Sequence, residues 1–187
     1  MNISKFTQKS IEAIEGCEKL AYEYGNQEIE QEHLLCSLLS IEESLIFKLI
    51  EKMGINKEHF VDRAQAAIQK RVKVQGGQVY MGQALNKALI SAEDEAKAMG
   101  DSYVSVEHLF LSLLKYPNQE VKKIFSEYGL TRERFLQALS QVRGNQTVQS
   151  DNPEATYDSL NKYGEDLVEK AKNQKLDPVI GRDTEIR

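Results

Sequence analysis

Tryptophan is absent from this chain and proline occurs three times, at Pro117, Pro153 and Pro178. So few helix breakers in 187 residues suit an all-α fold. The two cysteines, Cys17 and Cys36, have neither the spacing of a disulfide framework nor that of a zinc site, which points to a reducing cytoplasm and no metal centre. No stretch approaches the ~18 apolar residues of a membrane span. The opening MNISKFTQKS lacks the apolar core of an export signal. Charge of one sign is also lacking: 24 basic against 29 acidic residues leave a net charge of -5. Lys70, Arg71 and Lys73 come nearest to a basic cluster and read as a solvated helix end, so neither nucleic acid nor membrane is an expected partner. A phosphate loop of the GxxxxGK[ST] type is missing as well. The chain by itself is therefore expected to be no enzyme and to bind no ATP.

What the sequence does have is a repeat. The second half copies the first at a shift of 75 positions, held without insertion over about 64 residues. EHLLCSLL (32–39) returns as EHLFLSLL (107–114), Gly25 as Gly100, Gly54 as Gly129 and Phe60 as Phe135. Two similar helical units related by a pseudo-two-fold axis are the simplest reading.

Each unit reads as four helices. Phe6, Ile11, Ile14, Cys17, Ala21 and Tyr24 form one apolar stripe at helical spacing, with Thr7 as N-cap and Gly25 as the left-handed exit. Shorter helices follow at about 31–40 and 44–53. A fourth opens on Ile55, cap Asn56 and Phe60, a hydrophobic staple that Leu130, Thr131 and Phe135 rebuild in the second copy. Residues 71–80, RVKVQGGQVY, join the units and carry no sheet in this reading. The second unit is expected to place helices at about 83–99, 106–115, 119–128 and 132–143. The boundaries are thus 1–70 and 81–144 for the repeats, 145–156 for a flexible, protease-sensitive linker, and 157–187 for a further helix and an unfinished stretch ending in LDPVIGRDTEIR.

Little chemistry stands out. Cys36 aligns with Leu111 and Cys17 with Ala92, so both thiols occupy hydrophobic positions. His33 and His108 each follow a Glu in the first turn of a helix, where fixing the helix start is the natural role. EHLL is not the HExxH zinc pattern. Glu32 and Glu107 sit where a helix dipole favours an anion, and as a symmetric pair they could also receive cationic groups.

The segments FTQKSIEAI (6–14), GNQEIEQEHLL (25–35), GDSYVSVEHL (100–109), VRGNQTVQSDNPEATYDSLNKYGEDL (142–167) and KLDPVIGRDTEIR (175–187) resemble the Clp repeat N-terminal domains. The 142–187 stretch is most similar to the ClpB-like bacterial disaggregases. The resemblance implies an eight-helix domain tethered to an AAA+ ATPase module, of which 157–187 is the truncated N-terminal edge. It implies that Pro178, Val179, Ile180 and Gly181 lie on the adenine side of an ATP site completed further along the chain. It implies ATP and Mg as cofactors of the whole protein, a homohexamer, cooperation with a DnaK-type chaperone, and a monomer for this part alone. Clients would be unfolded or aggregated proteins, and the residues the resemblance assigns to them are Thr7, Asp101 and Glu107. Glu32 joins these through the phosphoarginine-recognising glutamates of ClpC-like relatives. On that view Asp101→Ala and Glu107→Ala weaken client binding while the melting temperature barely moves. The alternative implied is a docking domain of a ClpC- or ClpA-like protease unfoldase. Gln31 and Gly82, where relatives commonly have Pro and Ser, depart from the pattern.

Overall fold

Helix starts in this chain are secured locally. Thr7, Ser44, Asn56, Asn118 and Thr131 each accept, through a side-chain oxygen, the backbone N–H three residues on. That satisfies one of the donors every helix start leaves unpaired. The computed structural model describes residues 3–144 and 146–153. The first repeat contains α1 (Gln8–Glu23), β1 (Glu28–Ile29), α2 (Gln31–Ser40), α3 (Leu45–Lys52) and α4 (Lys57–Gln69). The second contains α5 (Gln83–Ala98), α6 (Val106–Lys115), α7 (Gln119–Glu127) and α8 (Arg132–Arg143), preceded by β2 (Tyr80–Met81). Among the described residues the fold is all-α apart from that pair of two-residue strands and one isolated bridge. The 75-residue shift maps α1 onto α5 and α2 onto α6 end to end.

The core lies where α1 packs on α2 and α5 on α6, with Leu34, Leu35 and Leu38 fully buried in one repeat and Leu109, Phe110 and Leu113 in the other. Phe110 stacks on Phe135 at 4.7 Å between ring centroids and tilts against Phe125 at 5.5 Å. The buried stripe of α1 differs from the one expected. Ser10, Ala13, Cys17 and Ala21 face inward, while Ile11 and Ile14 are half-buried. The reason is close helix approach: the Ser37 hydroxyl donates to the Ala13 carbonyl at 2.5 Å, and a side chain at Gly16 would run into Ser37. The same bond joins Ser112 to Ala88 in the second repeat.

Residues 80–81 form the two-stranded parallel sheet that the sequence reading withheld, pairing Glu28 with Tyr80 and Ile29 with Met81. Its counterpart is an isolated parallel bridge between Phe6 and Val104. Adding 75 to Phe6 and subtracting it from Val104 gives Met81 and Ile29. Each repeat therefore lays the residues before its first helix against the other repeat's loop, as a pseudo-two-fold axis requires.

The stretch expected to be a loose linker also differs. Over its described part, 146–153, the chain turns back onto the domain. The Ser102 N–H donates to the Val148 carbonyl at 2.8 Å, and the Gln8 N–H to the Asp151 carbonyl at 2.7 Å. Val148 is fully buried. One aliphatic anchor among polar neighbours is enough to dock a segment that composition reads as solvated.

Candidate functional site

The starts of α2 and α6 are built alike. The Glu30 backbone N–H donates to Nδ1 of His33 at 2.9 Å, and the Ser105 N–H to Nδ1 of His108 at 2.8 Å. Nδ1 is thus the acceptor in both rings, so Nε2 carries the proton and each imidazole is neutral. From Nε2, His33 donates to Asn26 Oδ1 at 2.9 Å and His108 to Asp101 Oδ2 at 2.6 Å. Burial, and then the nearby Arg71 cation, push the His33 pKa down to about 4. Both histidines pin a loop to a helix start, as the repeat suggested.

The carboxylates lie inside rather than at an open rim. Glu32 Oε2 meets Arg71 at 3.0 Å and its Oε1 accepts from Asn118 Nδ2 at 3.0 Å. Asp101 Oδ1 accepts from Arg143 Nη2 at 2.5 Å and from the Val148 N–H at 2.8 Å. Burial alone would raise the Asp101 pKa, but the hydrogen bonds from His108, Arg143 and Val148 outweigh it and hold the carboxyl below its usual range. Glu107 is wholly buried, with Arg143 Nη1 at 3.5 Å and no hydrogen-bond partner for either oxygen among the described residues. Thr7 is fully buried too, its hydroxyl shared between cap and Ser10, whose own hydroxyl reaches the Val104 carbonyl. The Thr7 N–H donates to that same carbonyl at 2.9 Å. So the start of α1 lies against the 100–107 loop, yet Thr7, Asp101, Glu107 and Glu32 present no open surface.

Sequence reasoning missed the two arginines. Arg71, taken for part of a solvated helix end, is mostly buried and bridges Glu28 and Glu32. Arg143 bridges Asp101 and Glu107. Arg143 aligns with Ile68 under the repeat, so the internal symmetry could not reveal the shared role. An Arg near the end of the fourth helix in each copy was the available signal.

Two departures from the family pattern prove to be structural. Gly82 has no cap side chain; instead Glu30 Oε2 accepts the Ala84 N–H at 3.1 Å, and a side chain at 82 would land on that carboxylate. Gln31, fully buried, donates to the Ala84 and Tyr116 carbonyls and accepts the Asn118 N–H, tying one repeat to the other. The cysteines are buried and free, and desolvation pushes the Cys36 thiol up to about 12 and the Cys17 thiol further still. Such thiols are inert as nucleophiles. Among the described residues no His, Cys, Asp and Glu cluster could hold a metal ion, and no helix is long and apolar enough to cross a membrane. Pro178, Val179, Ile180 and Gly181 lie outside the described residues.

Apolar surface does reach solvent at the inter-repeat connector. Val72, Val74 and Tyr80 are exposed and line a pocket of about 250 Å³ with Gln27, Glu28 and Arg71. Tyr116 is exposed under the ammonium of Lys87 at 4.4 Å.

Eight helices in two interlocked copies, each with a His-pinned start, have counterparts among known proteins. Residues 5–128 match the Clp repeat (R) N-terminal domain model, and the chain belongs to that family. Within it, the whole chain matches the N-terminal region of ClpB chaperones at 38–44% identity. The Chaperone protein ClpB of Nitratidesulfovibrio vulgaris is 44% identical over 100% of this chain and 22% of its own length. That of Clostridium tetani is 41% identical with the same coverage. The chain thus spans about a fifth of these relatives. Among solved structures, the Hsp104 N-terminal domain from Candida albicans superposes with a TM-score of 0.71 at 22% identity, covering 80% of this chain and 99% of that one. A ClpV N-domain in complex with a VipB peptide gives 0.62 at 20% identity, covering 79% and 92%. These two likenesses concern the fold.

Proposed function

We infer that this chain is the substrate-recruiting N-terminal part of a ClpB-like, ATP-dependent protein disaggregase. It captures unfolded or aggregated polypeptide and passes it to AAA+ rings that lie beyond it. The observation that carries this reading is the match to ClpB chaperones along all 187 residues, including the segment after the repeats. ATP and Mg, a homohexamer, cooperation with a DnaK-type chaperone and a cytoplasmic setting belong to the whole protein on the same ground. The chain itself has no catalytic role in this scheme.

Physical features support it. A recruiting domain needs apolar surface that tolerates many sequences, with charge at its edge. The connector supplies Val72, Val74 and Tyr80 beside Glu28 and Arg71. The ClpV N-domain held with a VipB peptide is a case of this fold carrying a peptide. Thr7, Glu32, Asp101 and Glu107 serve recruitment as positioning residues: they hold the 26–30 and 100–104 loops in shape. Co-sedimentation tests the reading. The purified chain should pellet with a heat-aggregated globular protein and stay in solution with the same protein in its native form. Equal amounts in both pellets, after correction for the chain alone, would refute it.

A further inference from the structure

The strap at 146–153 occupies a slot that the pseudo-two-fold axis repeats. In the first repeat the 25–30 loop is covered by the connector. There the Val74 N–H donates to the Gly25 carbonyl, the Tyr80 N–H to Gln27, and the Asn26 side chain to Val72. That cover is tied at both ends, to α4 and to α5, and cannot leave. In the second repeat the equivalent loop is covered by the strap, which is tied to α8 at one end and leads onward to residue 154 and the rest of the chain. Val148 and Pro153 are its buried residues; Gln146, Thr147, Gln149, Ser150, Asp151 and Asn152 are exposed.

We propose that the strap is a resident mimic of a client: an extended client segment with one aliphatic side chain among polar neighbours docks in its place. This rests on the recruiting reading above. The slot is a loop edge with a donor, an acceptor and a buried socket for one side chain in register. The Ser102 N–H donates to the Val148 carbonyl, Asp101 Oδ1 accepts the Val148 N–H at 2.8 Å, and the Val148 side chain fills the socket. The two backbone bonds read no sequence, and the socket asks only for an aliphatic residue of about valine size, so many unfolded chains satisfy it. With the strap away, Asp101 Oδ1 and the Ser102 N–H become available to a client backbone. Beyond holding the 100–104 loop, Asp101 thus also offers Oδ1 to a client seated in the slot, while Arg143 and His108 keep its carboxylate in place. While the strap is docked, client affinity is reduced in proportion to the small fraction of molecules in which the slot is open.

A disulfide lock tests this. Ser102 and Gln149 are both exposed, and Ser102 Oγ lies 2.9 Å from Gln149 Oε1. In the variant Ser102→Cys, Gln149→Cys the two thiols can bridge, while Cys17 and Cys36 stay buried. The probe is a chemically reduced, alkylated globular protein carrying fluorescein, followed by anisotropy. The oxidised lock should fail to bind and the reduced form of the same protein should bind. Releasing the strap with Val148→Asp, which puts a charge in the socket, should tighten binding roughly tenfold if the strap is docked about nine-tenths of the time. A synthetic peptide of residues 146–153 should compete with the client. If the oxidised lock binds as well as the reduced form, the slot is not a client site and the inference falls, while recruitment elsewhere on the surface stands. If neither the unmodified chain, the reduced lock nor folded Val148→Asp binds the probe, the recruiting reading fails and this inference with it.

Discussion

Asn26 and Asp101 hold the same place in the two repeats and accept a hydrogen bond from the same histidine nitrogen, but only Asp101 carries charge. The charge is met by Arg143, whose side chain is 4% exposed. Without Asp101, Arg143 loses its shortest carboxylate contact and keeps Glu107 at 3.5 Å, and breaking a buried ion pair costs about 3–5 kcal/mol. Asp101→Ala should therefore lower the melting temperature by on the order of 10 °C, against the sequence-based expectation that it would barely move. A shift of a degree or two in a thermal melt would show that Arg143 finds another partner. His33 carries a second prediction. Its native pKa of about 4 lies below the ordinary 6.5, so the unfolded chain takes up a proton first as pH falls. Stability from this residue is present above pH 6.5 and is lost toward pH 4, at up to ~1.4 kcal/mol per unit. Glu30, whose carboxyl burial raises, works in the opposite direction at the acid end of that window. The direct readout is the ring resonance of His33, which should stay that of a neutral imidazole until about pH 4; a midpoint near 6.5 would contradict the burial argument.

Among elements, α5 is capped from outside itself. Glu30, the residue before α2, supplies through Oε2 the acceptor that Gly82 lacks, while in the other half Thr7 caps α1 directly and Ser105 occupies the Glu30 position. Glu30→Ser should keep the α2 cap, as Ser105 does for α6, but weaken the start of α5 by roughly 1 kcal/mol, and Gly82→Thr alone should clash with the Glu30 carboxylate. Made together, the two changes rebuild the Thr7–Ser105 arrangement and should restore most of the stability. Urea denaturation of the four proteins gives the coupling; strictly additive losses would mean the two sites do not interact. Helix positions were legible because caps, glycine exits and the staples at Asn56 and Thr131 are local signals, and the two copies checked each other. The inward face of α1 was misread because small residues at a close helix crossing outrank larger apolar ones. Periodicity alone does not say which neighbour a helix will meet.

For the whole molecule, the repeat predicted the pseudo-two-fold arrangement, and the paired contacts Phe6–Val104 and Ile29–Met81 express it. What the sequence concealed lies where the copies differ. Gln31 stitches the repeats from a position where the other copy has Val106, Arg71 and Arg143 answer the two glutamates from unrelated registers, and Val148 docks a segment that reads as linker. Each depends on a partner far along the chain, which no local pattern reports. The cross-repeat ties predict joint unfolding: Gln31→Ala leaves the Asn118 N–H without its acceptor and should cost about 1–3 kcal/mol, in one transition rather than two. A second transition by calorimetry would show that the repeats fold separately.

The central claim is that this chain recruits non-native polypeptide. The most direct measurement is an anisotropy titration of the fluorescein-labelled, reduced and alkylated globular protein with the purified chain, beside the same protein native and labelled. The account predicts weak, saturable binding of the unfolded form, with a Kd on the order of 10 μM, about −7 kcal/mol, and none of the native form. A chain shown folded by circular dichroism that leaves the anisotropy of the unfolded probe unchanged through millimolar concentrations would contradict it.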